Sequence, residues 1–125
     1  MDAPTFENLD LACAKRGKEI ANNSSDDLEK VITDALSVLE EQGLYALFLF
    51  LKTQGNGAEY VKQKISSFLK KTPRQAPLLS DNGDVFDSLQ QMGKDLDKLL
   101  LARDLVRQTL VYARYHARVP QKSEV

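Results

Sequence analysis

The chain has 125 residues, of which 42% are hydrophobic and 28% charged, with six glycines, four prolines and a single cysteine. That length supports one independent core, and the dominance of Leu, Ala, Lys, Asp and Glu over β-branched residues favours an all-α fold. One cysteine excludes an internal disulfide, and with no basic-apolar leader at the N-terminus a cytoplasmic protein is expected.

Net charge is −1 over the whole chain, but it is laid down in blocks. Residues 1–50 carry 4 Lys+Arg against 10 Asp+Glu, residues 51–75 carry 6 against 1, residues 76–97 carry 1 against 5, and residues 98–125 carry 6 against 2. Alternating blocks make a dipolar molecule that can set a basic surface against nucleic acid and an acidic one against a protein. The same blocks also arise where helices simply keep one solvated face.

In chain order, residues 5–22 read as a first helix, with Phe6, Leu9, Cys13, Gly17 and Ile20 along one side, Thr5 as N-cap ahead of Asn8, and Lys15, Arg16 and Lys18 on the polar side. Asn22-Asn23-Ser24 is a turn signal. From Leu28, the residues Val31, Ile32, Ala35, Leu36, Val38 and Leu39 form one apolar stripe opposite Asp27, Glu29, Lys30, Asp34, Glu40 and Glu41. Ser24 and Ser25 can cap this helix, Asp26, Asp27 and Glu29 suit the positive end of its dipole, and Gly43 ends or bends it.

Gly43 to Leu51 is the stretch on which the fold should be organised. It is apolar on every side, so it should be covered on every side as the buried centre. Its nine residues fall well short of the roughly 20 that cross a bilayer, so no membrane is expected. Gln54-Gly55-Asn56-Gly57 then opens a helix over about 58–71, with Tyr60, Val61, Ile65, Phe68 and Leu69 inward and a basic outer side.

Pro73 and Pro77 break the helical pattern, and residues 72–84 are expected to form an exposed loop. Val85, Phe86, Leu89 and Met92 predict a short helix up to Gly93. A last helix runs from about Asp95 to Val119 and stops at Pro120, leaving a frayed tail over 120–125. The expected whole is a single helical domain, 1–125, folded as a compact bundle of about five to six helices.

On the last helix, Arg103, Arg107, Arg114 and Arg118 fall at about 0°, 40°, 20° and 60°, a narrow stripe roughly 22 Å long. Leu99, Ala102, Leu105, Val106, Thr109, Leu110, Tyr112 and Ala113 fill the adjacent face and should pack on the central segment. Guanidinium groups so spaced suit the phosphates of a nucleic-acid strand. They also suit pairing with Asp and Glu of the acidic helix, or the C-terminal dipole of their own helix.

The residues offer no catalytic arrangement. His116 is the only histidine and Cys13 the only cysteine, so neither a His/Cys metal cluster nor a conventional Ser-His or Cys-His nucleophile arrangement can be assembled with spare members, and no glycine-rich phosphate loop is present. Asp81, Asp84 and Asp87 are spaced as in part of a calcium loop but lack its later glutamate, and a turn with a helix start accounts for them. Neither enzyme activity, a cofactor nor a metal is expected, and Cys13 belongs to the core.

Three stretches carry a family resemblance: Gln42-Gly43-Leu44, then Leu47-Phe48-Leu49-Phe50-Leu51, and Leu110-Val111-Tyr112-Ala113-Arg114-Tyr115-His116-Ala117. In order and spacing they resemble the small α-helical subunit of type III-B (Cmr) CRISPR effector complexes, or the equivalent small subunit of a related type III complex. Tyr112 stands where that family often has tryptophan. The resemblance implies a non-catalytic antiviral-defence subunit that stacks with copies of itself along other CRISPR effector subunits and meets guide and target RNA with basic faces. By position it implies RNA contacts at Lys15, Arg16, Lys18 and Arg114. The stripe alone adds Arg103, Arg107 and Arg118. The alternative from the residues is a helical protein–protein adaptor that binds no nucleic acid.

Overall fold

A computed structural model describes residues 7–22, 27–81 and 83–119, the side chain of Asn56 aside. Among them are six helices: α1 (Leu9–Ala21), α2 (Leu28–Gln42), α3 (Leu44–Lys52), α4 (Asn56–Lys71), α5 (Val85–Met92) and α6 (Leu96–Arg118). The expected Thr5 cap, Phe6, the turn at Asn23-Ser24, the caps Ser24, Ser25 and Asp26, and the tail over 120–125 lie outside the described residues.

Local chemistry sets the helix ends. Asn8 caps α1, its side-chain oxygen accepting from the Leu11 N–H at 2.9 Å. Asp84 and Asp95 do the same for α5 and α6, accepting from Phe86 and Lys98. The first helix therefore starts at Leu9 rather than at residue 5. Gly43 ends α2 with φ +97°, its N–H donating to the Leu39 and Val38 carbonyls, and its own carbonyl accepts from Leu47 to begin α3. Only glycine enters that region without strain, so one residue closes one helix and opens the next.

α1 and α2 each pack against both α6 and α4, and these four helices make the body. α3 lies along α2 and α4, and α5 touches both α3 and α6. Ile20, Ile32, Leu39, Leu47, Phe48, Leu51, Ile65, Leu69 and Leu110 are among the fully buried side chains. The broad face of α6, expected to pack on the central segment, packs mainly on α1 and α2.

The central segment is itself only half enclosed. Leu44, Leu47, Phe48 and Leu51 are buried, but Tyr45 and Leu49 are 40% and 46% exposed. The expectation that α3 is covered all round is therefore corrected. Its nine residues make about two and a half turns, and the eight-residue α5 reaches only part of its outer side, with Phe86 edge-on to Tyr45 at 5.4 Å.

The 72–84 loop is exposed over Arg74 to Pro77 and again at Ser80, Asp81, Gly83 and Asp84, while Thr72, Leu78 and Leu79 are buried. The N–H groups of Leu78 and Leu79 donate to the Leu69 carbonyl at 3.0 and 3.1 Å, so the loop returns to cap α4. Arg74 holds its other side to Glu7, which accepts the Arg74 N–H at 2.8 Å.

α1 and α6 meet across Gly17. A Cβ there would stand 2.7 Å from the Tyr112 Cβ and 2.8 Å from the Ala113 nitrogen and the Thr109 carbonyl oxygen. Two of those atoms are backbone, so the helices must separate to admit it. Overpacking of this kind costs about 1–3 kcal/mol, against roughly 1 kcal/mol that alanine gains over glycine in a helix. Gly17→Ala is therefore expected to lower stability in urea melts, and a gain would mean that the seam opens freely. Phe48→Ala is expected to cost roughly 3–5 kcal/mol in the same melts, and a loss below about 1 kcal/mol would remove α3 from the core.

Candidate functional site

The arginine stripe lies along the side of α6 that faces α2, and the two helices run antiparallel, so acidic residues of α2 meet the guanidinium groups in reverse order. Near the end of α2, Glu40 takes both Arg103 and Arg107. Arg103 donates to the Glu40 backbone carbonyl at 3.0 Å and lies 3.9 Å from its carboxylate. Arg107 pairs with the same carboxylate at 3.1 Å and with Asp104 on its own helix at 2.7 Å. At the start of α2, Glu29 accepts from Arg118.

Two terms favour this arrangement. No basic residue stands in the last turn of α2, and Arg103 brings a positive charge from α6 to its exposed carbonyl end. Glu29 sits in the first turn of α2, where its charge suits the dipole, while Arg118 sits in the last turn of α6. Each pair is about half exposed, so each contributes only about 0–1 kcal/mol. Of the two readings the stripe allows, the ion pairs with the acidic helix account for three of its four arginines. Arg114 is half-buried between them and has no ion pair among the described residues.

On α1 the basic residues divide. Arg16 is drawn onto the body, 3.4 Å from Glu19 and with its guanidinium carbon 5.7 Å from the centre of the Phe68 ring. Lys15 and Lys18 are exposed on the outer side, with no ion pair among the described residues. The structure does not bring the seven predicted contacts onto one face. Thr109, Tyr112 and Ala113, against which Gly17 of α1 packs, lie about 180° to 280° around α6 from Arg103. The α1 lysines and the arginine stripe are thus on opposite sides of α6.

Residues that sequence reasoning passed over complete the electrostatics. Asp10 accepts from the Tyr112 hydroxyl at 2.8 Å and 3.0 Å on its two oxygens, with Gln108 at 3.5 Å. Glu19 meets Lys64 at 3.7 Å, and its backbone carbonyl accepts from Tyr60 at 2.8 Å, tying α1 to α4. These are contacts across more than forty residues of chain, and no local pattern announces them.

The Cys13 thiol donates to the Leu105 carbonyl at 3.4 Å, and burial, with the charge of Asp10, pushes it above its ordinary value. A thiol held protonated and enclosed is a poor nucleophile. Among the described residues no group of three or more His, Cys, Asp or Glu could hold a metal ion, and Asp84 serves as a helix cap. A shallow groove between Pro77–Ser80, α5 and the start of α6 is lined by Leu78, Leu79, Asp87, Ser88, Met92 and Lys98 among others. No described helix is long and apolar enough to cross a membrane.

Compared with known proteins, the chain matches no family model, no curated protein and no solved structure.

The Asp10 contact gives a pH signature. The hydrogen bond to the carboxylate, with the charge of that carboxylate, holds the Tyr112 phenol above its ordinary value. A raised folded-state value adds stability that is present below the unfolded value of about 10 and is lost as pH rises through the folded one. Tyr112→Phe should therefore lower the melting temperature by a margin that is full at neutral pH and closes in strong alkali. A margin that stays constant would rule out this bond as its source.

Proposed function

We propose that the chain is a non-catalytic small subunit of a guide-RNA effector complex of the type III class, stacking along the backbone subunits and holding RNA by its phosphates without reading its sequence. The observation that carries this reading is a division among the candidate contacts. Of the four positions taken from the family resemblance, Lys15, Lys18 and Arg114 have no ion pair among the described residues. The three added from the stripe alone, Arg103, Arg107 and Arg118, are all paired. Cations left without counterions are the ones a phosphate strand neutralises at least cost.

The stretches that carry the resemblance also support it. Gly43 makes the break between α2 and α3, Leu47, Phe48 and Leu51 fill the core below it, and Leu110 and Ala113 of α6 are buried. One observation favours the adaptor reading instead: Tyr45 and Leu49, a turn apart on α3, stay exposed and could meet a protein.

Purification of the tagged protein from its host at moderate salt, followed by mass spectrometry and RNA sequencing, separates the two. The expected yield is short guide RNAs together with repeated backbone subunits. Proteins without RNA would favour the adaptor. In the assembled complex, Lys15→Glu, Lys18→Glu and Arg114→Glu together should weaken target RNA binding and flatten its logarithmic salt dependence by about 0.7 for each phosphate deprived of its cation. Unchanged binding would overturn the phosphate contacts.

A further inference from the structure

The pairs along the stripe are exposed enough to be exchanged. Glu40 holds two guanidinium groups with one carboxylate, and every acidic and basic partner in these pairs is between 37% and 52% exposed. A strand of phosphates can therefore reach the arginines without opening the core. Arg114 stands between Arg107 and Arg118 with no ion pair among the described residues, so an anion can settle there first and displace the carboxylates on either side. Other acidic groups of α2 do not take part. Asp34 pairs with Lys30 at 2.9 Å, and Glu41 is exposed with no ion pair among the described residues.

We infer that Glu40 masks Arg103 and Arg107 as an intramolecular counterion, with Glu29 doing the same for Arg118, so that single-stranded RNA gains the stripe only by displacing these carboxylates. This rests on the RNA-binding reading above and adds its regulation. In the free chain the carboxylates of Glu40, Glu29 and Asp104 offset three of the stripe's four positive charges, which limits adventitious binding of nucleic acid. Along a held strand the high local phosphate concentration competes with the carboxylates, and the stripe joins the interface. Asp104 stays with Arg107 because both ride on α6, and Arg103 can keep its bond to the Glu40 backbone carbonyl, so loss of the Glu40 carboxylate frees the charge of each arginine in part.

Neighbouring residues supply the test. Glu40→Gln and Glu41→Gln change the net charge equally, but only the first touches arginines. With a fluorescein-labelled oligouridylate and the full chain, anisotropy titrations across a salt series should show Glu40→Gln binding about two- to fivefold more tightly than Glu41→Gln, the factor by which freeing an exposed ion pair shifts an equilibrium. The logarithmic salt dependence should steepen by about 0.7 to 1.4 as one or two further phosphates are neutralised. Placing both substitutions in an Arg103→Gln, Arg107→Gln background should erase the difference. Equal affinity of the two variants, including no measurable binding by either, overturns the masking, as does a difference that survives loss of the arginines. Failure here leaves the guide-RNA purification untouched, and absence of guide RNA there leaves the Glu40–Glu41 comparison readable, so the two proposals fail separately.

Discussion

The approach of α1 to α6 at Gly17 is the constraint on which the rest of the molecule depends. With no side chain at that point, the α1 backbone sits so near α6 that a Cβ would fall 2.8 Å from the Thr109 carbonyl oxygen and the Ala113 nitrogen. Cys13 and Ile20, a turn to either side, are thereby only 1% and 0% exposed. This seam fixes which way α6 is rotated. Once Thr109 and Ala113 face α1, the helical period turns Arg103, Arg107 and Arg118 toward α2. Packing on one side of the helix therefore decides the electrostatics of the other.

A weak interaction is positioned by a strong one. Close packing at the seam tolerates little change in volume, whereas the half-exposed ion pairs along α2 are each worth little and yield to salt or to a competing anion. α6 is thus rigid where it is buried and negotiable where it is charged. A binding surface gains from that combination, since it is held in shape without being held shut.

Much of this architecture is legible from periodicity. The α2 stripe, the Gly43 break, the inward side of α4 and the stop before Pro120 follow from one-dimensional spacing, because helices bury stripes and glycine supplies the backbone angle at a break. Tyr45 and Leu49 defeat the same logic. Hydrophobicity on all sides says that a helix prefers cover, but whether cover exists depends on the length of its neighbours, and α5 is short. The candidate site is legible as a set of cations and not as an arrangement. Spacing puts four arginines on one stripe, but which of them meets Glu29 or Glu40 depends on the antiparallel register of α2 and α6, and that register is set by tertiary packing. Asp10 with Tyr112, and Glu7 with Arg74, join positions more than sixty residues apart and leave no local trace.

The loop after α4 divides into two parts with opposite tolerances. Leu78 and Leu79 close the helix end through the Leu69 carbonyl, so neither their backbone nor their side chains can move without exposing it. Gln75 and Ala76, by contrast, project into water. Extra chain at that apex costs only a slowly growing closure entropy. It is consequently the natural point for grafting an epitope or a fluorophore, outside the described helices and taking part in none of the α2–α6 ion pairs.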